Sequence, residues 1–168
     1  MEKTIDLYDY KYFNSSKGFQ RSKARLAYML NQVWPYNPKT LLDVGCGLGT
    51  FVDLCRKNRI DAQGIDFAPI LKEKWWSGKE YLRLAHAKDL PFKNYSFDVV
   101  YSADFFEHIP EEDIDKVARE MRRVGKKVLA RIAFESNLTE NQAKYHCTNK
   151  SKEWWQNKLK DIIILDYA

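Results

Sequence analysis

Cysteine and histidine are scarce in this 168-residue chain, with three of each. Cys46, Cys55 and Cys147 are odd in number and form no C-x-x-C pair, which argues against a disulfide framework and suits a reducing, cytoplasmic setting. His86, His108 and His146 are scattered without ligand spacing, so the sequence by itself offers no metal site. No apolar run approaches membrane-spanning length, and Met1-Glu2-Lys3-Thr4-Ile5-Asp6 does not read as a signal peptide. No internal repeat or low-complexity tract occurs. Charge is not concentrated either. The net +5 is divided between Lys17, Arg21, Lys23 and Arg25 early and Arg122, Arg123, Lys126 and Lys127 late. That distribution reads as a solvated surface rather than a nucleic-acid patch.

What remains is a chain of ordinary globular composition, 45% hydrophobic and 30% charged, expected to form one domain over residues 1–168. Glycine totals only seven, yet three fall at alternate positions: Gly45, Gly47 and Gly49. They follow the strand-length apolar run ending Leu41-Leu42-Asp43-Val44. Behind them Phe51, Val52, Leu54 and Cys55 repeat at helical spacing. Strand, tight turn and helix are therefore expected, with glycine supplying unusual φ values and close backbone approach.

Two acids flank the turn. Asp43 stands just before the glycines, and Asp66 ends the next strand-like run 23 residues later. An acid about 20 residues past such a turn is placed to accept hydrogen bonds from ribose hydroxyls. The Gly-x-Gly-x-Gly spacing and the acid before the turn disfavour a dinucleotide pyrophosphate and suit a cationic amino-acid moiety.

Elsewhere the pattern alternates. Ser16 can cap a helix to about Trp34, striped by Leu26, Met29, Leu30 and Val33 and ended by Pro35. Strands are expected at Thr40–Val44, Ala62–Asp66, Tyr81–His86, Phe97–Ser102 and Lys127–Phe134. Pro110 opens a helix with the buried stripe Ile114, Val117, Ala118 and Met121. Ser151 can cap a helix holding Trp154, Trp155 and Leu159, and Asp161–Tyr167 reads as a buried strand.

Leu42-Asp43-Val44-Gly45-Cys46-Gly47-Leu48-Gly49 resembles the first motif of class I S-adenosylmethionine-dependent methyltransferases. Gly64-Ile65-Asp66-Phe67 is similar to their second-strand acid motif. Asp89-Leu90-Pro91-Phe92 with Ser96-Phe97-Asp98-Val99-Val100 is similar to the approach to their fourth strand. Glu107-His108-Ile109 and Glu120-Met121-Arg122-Arg123-Val124 resemble the segments after that strand. The resemblance covers about residues 40–135. It implies an α/β, Rossmann-like three-layer sandwich with a mostly parallel sheet of about six strands in the order 3-2-1-4-5-6. It implies S-adenosyl-L-methionine as cofactor, with Asp43, Gly45, Cys46, Gly47, Gly49, Asp66, Phe67, Ala87, Lys88, Asp89 and Ser102 as its binding residues. The chain departs at His86, where resembling enzymes commonly carry an acid for the adenine amino group.

Residues 1–35 are then expected to supply an aromatic lid (Tyr8, Tyr10, Tyr12, Phe13) and a helix, residues 40–135 the cofactor core, and residues 136–168 a substrate-side insertion and the last strand. His108 and His146 are the candidate bases. His108 also reads as a structural histidine, and His146 lies in the part that would select substrate. His146, Asn149 and the Trp154-Trp155 pair suggest a polar, aromatic-walled pocket for a small acceptor with an oxygen or nitrogen nucleophile, a sugar or other hydroxylated metabolite. RNA methylation and a non-catalytic S-adenosylmethionine-binding subunit stay open as alternatives. Nucleic-acid base chemistry is disfavoured, since Ser102-Ala103-Asp104-Phe105 lacks the Asn/Asp-Pro-Pro-aromatic motif and no cysteine follows a proline. Only one strand-like run follows Phe134, so the usual C-terminal hairpin is expected to be shortened. The exposed edge this leaves would be covered most simply by a second copy, a homodimer.

Overall fold

The computed structural model describes residues 8–14, 22–134 and 145–166. In chain order its elements are α1 (Tyr10–Asn14), α2 (Lys23–Val33), β1 (Thr40–Val44), α3 (Thr50–Lys57), β2 (Asp61–Asp66), α4 (Pro69–Lys74), β3 (Leu82–Leu84), β4 (Phe97–Ala103), α5 (Ile114–Val124), β5 (Gly125–Arg131), α6 (Lys152–Lys158) and β6 (Ile163–Leu165). Among the described residues six strands make one sheet in the order β3-β2-β1-β4-β5-β6. Every pairing is parallel. The expected order therefore holds. The chain leaves β1 toward β2 and β3, then returns to the other side of β1 through β4. That reversal opens a crevice at the carboxyl ends of β1 and β4, the place where open parallel sheets bind ligands.

Side-chain alternation along the strands divides the core into two. Leu42, Val44, Val100, Val128 and Ala130 face one side, against Ile114, Val117, Ala118 and Met121 of α5 and Trp155 of α6. Leu41, Val99, Tyr101 and Leu129 face the other, against Met29 and Val33 of α2, Phe51, Val52 and Cys55 of α3, and Leu71 of α4. Both faces are covered, which is why the strands read as near-continuous apolar runs. The stripe on α5 is at most 1% exposed from Ile114 to Val124. Each large side chain in it contributes about 1.5–3 kcal/mol by leaving water.

Several element boundaries differ from the sequence reading, each for a local reason. Helix α2 is capped by Ser22, whose Oγ accepts from the Arg25 N–H at 3.1 Å; Ser16 lies outside the described residues. Pro110 precedes a 3-10 turn, Glu111–Asp113, that runs into α5, and so stands before the helical residues rather than opening them. Strand β3 is only Leu82–Leu84, because the chain turns back at once with Asp89 N–H donating to His86 O. Strand β5 starts earlier than expected. Helix α5 feeds it directly through Gly125, where a side chain would stand 2.5 Å from Val100 Cγ2. It also stops earlier, at Arg131, since the Ala133 N–H is taken by Glu107 Oε1 at 3.0 Å. The final strand is three residues at the sheet edge, with Ile163 42% exposed, and is not the buried strand the run of isoleucines suggested. Beyond it, the Asp166 carbonyl accepts from Tyr28 Oη and Gln32 Nε2, tying the chain back to α2.

Candidate active site

At the end of β1 the backbone takes left-handed conformations at all three glycines, with φ of +76° at Gly45, +52° at Gly47 and +75° at Gly49. A side chain at Gly45 would stand 2.6 Å from Phe105 Cδ2, and one at Gly49 2.4 Å from Leu82 Cδ1. Strain and crowding thus both demand glycine here. The turn is held from several sides. Gly45 and Cys46 N–H both donate to Ile65 O, at 2.9 and 3.0 Å. Gly47 N–H donates to Asp66 Oδ2 at 3.0 Å and Trp76 Nε1–H donates to Gly47 O at 3.0 Å. Asp66 Oδ1 also accepts from Ala68 N–H. The cradle is therefore shaped by the protein's own bonds before any ligand meets it.

The sequence-predicted cofactor residues divide into those at the cradle and those turned away from it. Asp43 is fully buried at the end of β1, and Asp66 is 8% exposed at the end of β2. Cys46 is buried with its sulfur against Gly64, where a side chain would lie 2.8 Å from Sγ. Phe67 is half-buried and stacks on His86, ring centres 5.8 Å apart. Ala87 is buried and Asp89 exposed, while the Lys88 ammonium reaches away to Asp113 at 2.9 Å. Ser102 is fully buried on β4, its hydroxyl without a partner among the described residues.

Beyond β4, the second half of the site is built from side chains. Asp104 takes a left-handed φ of +54° and receives both Arg25 and Arg131, the latter at 2.9 and 3.0 Å through Nη2. Arg131 is only 3% exposed, so this ion pair fixes the start of the loop from β4. The next turn carries Glu107 and His108. Glu107 is fully buried, and burial, followed by the Asp104 charge, pushes its carboxyl up to about 8. His108 is pulled down to about 4, by burial first and His146 second, and is neutral at physiological pH. Its Nδ1–H donates to Tyr145 O at 2.9 Å, with Tyr8 Oη at 3.0 Å from the same nitrogen. His146 packs edge-on against His108 with ring centres 4.7 Å apart. Burial lowers its imidazole as well.

The N-terminal aromatics close over this half. Asp9 Oδ1 caps α1 through the Tyr12 N–H, and Tyr8 just before it is buried. The Tyr8 ring lies 5.3 Å from Phe67 on the cofactor side and 4.7 Å from Tyr12. Tyr12 in turn meets Tyr145 at 4.9 Å. Burial pushes both phenols well above their usual range, so they stay protonated. The structure brings the two sequence-chosen histidines together and sets Glu107, Tyr8 and Tyr145 beside them. Glu107 was legible only as part of a motif, although an acid beside a histidine at a strand end was its signal. A recess of about 400 Å³ lined by Asp53, Arg56, Lys79 and Tyr81 belongs to α3 and the approach to β3. Two of its groups converge on Asp53, Lys79 at 2.7 Å and Tyr81 Oη at 2.8 Å.

A parallel sheet in this order, a three-glycine turn at its switch point and an acid closing the next strand define the class: an S-adenosylmethionine-dependent methyltransferase fold. Residues 42–128 match the family model described as methyltransferase domain, and the chain belongs to that family. Norajmaline N-methyltransferase of Rauvolfia serpentina is 34% identical over 97 residues, covering 52% of this chain and 32% of its own length. Ajmaline N-methyltransferase of the same organism is 32% identical over 97 residues, covering 52% of this chain and 33% of its own. The chain thus spans about a third of the length of these curated relatives. The crystal structure of a SAM dependent methyltransferase from Archaeoglobus fulgidus is similar in fold, with TM-score 0.69 at 20% identity over 92% of this chain and 72% of that one. The cofactor of this domain is S-adenosylmethionine, and the residues present fit it. The left-handed glycine turn leaves room for backbone approach, and the carboxylates of Asp43 and Asp66 lie at the ends of the two flanking strands. Among the described residues no helix is long and apolar enough to cross a membrane.

Proposed function

We propose that this protein transfers a methyl group from S-adenosylmethionine to an oxygen or nitrogen nucleophile of a small, hydroxylated acceptor. When bound, the cofactor supplies a methyl group on a sulfonium sulfur that leaves as a neutral thioether. The glycine turn and Asp66 would fix the amino-acid and ribose ends of the cofactor, and Phe67 would lie along the adenine side. Tyr8 and Tyr12 would exclude water, and His108 and His146 would meet the acceptor's nucleophilic atom. Holding two reactants in line is worth roughly 7–11 kcal/mol, more than a general base adds, so positioning is the main task of such a site.

The observation that carries this reading is the position of Tyr8. One buried ring touches Phe67 on the cofactor side, while its hydroxyl bonds His108 on the other. A single wall therefore spans both halves, and it carries the polar and aromatic groups that a small polar acceptor would need. Small-molecule methyltransferases among the curated relatives support the acceptor class. The test is calorimetric titration with S-adenosylhomocysteine, followed by transfer of labelled methyl to pooled hydroxylated and amine metabolites. Binding with transfer to a metabolite pool supports the reading. Binding with label only in added RNA, or in nothing, overturns the acceptor assignment, and absence of binding overturns the whole reading.

A further inference from the structure

Glu107, His108 and His146 each offer a ligand atom, and these three atoms all lie within 4.8 Å of one another. Two imidazole nitrogens and a carboxylate oxygen form a donor set suited to a borderline divalent ion such as Zn²⁺ or Co²⁺, and poorly suited to Ca²⁺ or Mg²⁺. We propose that Glu107, His108 and His146 bind a divalent transition-metal ion beside the cofactor cleft, with coordination positions left open toward the acceptor.

Three independent features of the cluster point to an ion. Glu107 is fully buried, with Oε1 anchored by the Ala133 N–H, while Oε2 is buried and has no partner among the described residues. A carboxylate in that position is costly unless a proton or a cation meets it. Without an ion a proton meets it, as its raised proton affinity requires, with the Arg131 charge, bonded to Asp104, a partial offset; a bound cation would displace that proton. The second feature is the orientation of His108. A carbonyl only accepts, so its bond to Tyr145 O fixes the proton on Nδ1 and leaves the lone pair on Nε2. Metal-bound histidines are held by this same outer arrangement. Third, Nδ1 of His146 is also buried without a partner among the described residues. Bonds of about 2.0–2.2 Å to a shared tetrahedral ion set donors about 3.4 Å apart, so the donors must draw together by up to about 1.4 Å. Glu107 is buried, whereas both histidines are only half-buried, so closure falls to the imidazoles.

Three protein ligands leave a fourth position for solvent or substrate, as in catalytic rather than structural zinc sites. The ion would hold an acceptor oxygen on the side of the site that Tyr8 covers, and this use rests on the transfer reading above. Ion binding itself does not, so the two fail separately.

The test titrates Co²⁺ into chelator-treated protein and follows its visible d–d absorption, with Zn²⁺ as competitor and S-adenosylhomocysteine affinity measured in parallel. Saturation at one equivalent is expected, with affinity falling at least about 10-fold in Glu107→Gln and in His146→Ala. Cys147→Ser, which alters the exposed thiol next to His146, should leave it unchanged. Circular dichroism identifies a variant that fails to fold, and the less buried His146→Ala decides if Glu107→Gln does so. Absence of saturable absorption, unchanged affinity in folded His146→Ala, or loss in Cys147→Ser alone would overturn the site. Unchanged S-adenosylhomocysteine affinity with and without metal keeps the result separate from the cofactor assignment.

Discussion

The carboxyl ends of β1 and β4 are neighbours in one sheet, yet they are made in opposite ways. After β1 the chain builds a site from backbone. Gly45, Gly47 and Gly49 adopt their conformations because they have no side chains, and the local bonds to Ile65 and Asp66 hold them. After β4 it builds a site from side chains. Glu107 and His108 become useful only when Tyr8, Arg131, Tyr145 and His146 arrive from elsewhere in the chain. The first region is a backbone conformation set by its own glycines and pinned by the next strand. The second is a tertiary assembly anchored at the ion pair of Asp104 with Arg131 and Arg25, and the two should respond differently to substitution.

The largest effect should come from removing that ion pair. Asp104→Asn tolerates the left-handed φ but leaves the Arg131 guanidinium buried without its countercharge. Breaking a buried pair in this way costs about 3–5 kcal/mol, to be read as a fall in the urea midpoint. A midpoint within experimental error of the parent would show that the second region does not depend on Asp104. Gly49→Ala tests the first region from the other direction. Left-handed strain of about 1–2 kcal/mol and contact with Leu82 should together destabilise it by about 2–4 kcal/mol. S-adenosylhomocysteine binding should be lost in calorimetry as well; retained affinity would deny that the turn is the cradle.

Asp66→Ala should weaken S-adenosylhomocysteine by about 1–3 kcal/mol, the cost of losing charge-assisted hydrogen bonds. The melting temperature should fall too, because Asp66 also receives Gly47 and Ala68 N–H. Asp98 gives a pH signature away from both regions. Lys126 Nζ and the Thr40 and Lys39 N–H groups hold its carboxyl down at about 2. A depressed folded-state value stabilises above the unfolded value near 4 and is lost as pH falls toward about 2. After solvent screening this amounts to about 1 kcal/mol. Asp98→Asn should therefore remove the part of the acid destabilisation that falls between those limits, seen by denaturant melts at several pH values. His146→Ala is expected to have the smallest effect on stability, under about 0.5 kcal/mol for a half-buried group. It should reduce kcat/KM for the acceptor with S-adenosylhomocysteine affinity unchanged, and an equal loss in both would move His146 to the cofactor side.

Periodicity and glycine placement determined the core strands, the turn and its acids, because each depends on residues close together in sequence; the strand order came only from the family resemblance. The apolar run before Gly45 and the helical repeat after Gly49 leave one local solution, and Asp66 follows from the length of one strand-helix-strand unit. Boundaries failed where a distant partner set them. Strand β5 ends at Arg131 because Glu107, from the preceding loop, takes the Ala133 N–H. The run from Ile162 reads as buried, but its place at the sheet edge exposes Ile163. Scattered histidines gave no metal spacing because His108 and His146 lie far apart in sequence, with α5 and β5 between them. Only the fold sets their rings 4.7 Å apart with Glu107 beside them. Local backbone demands are written in neighbouring residues. A cluster of buried polar side chains is decided by which segments the sheet topology brings to one end.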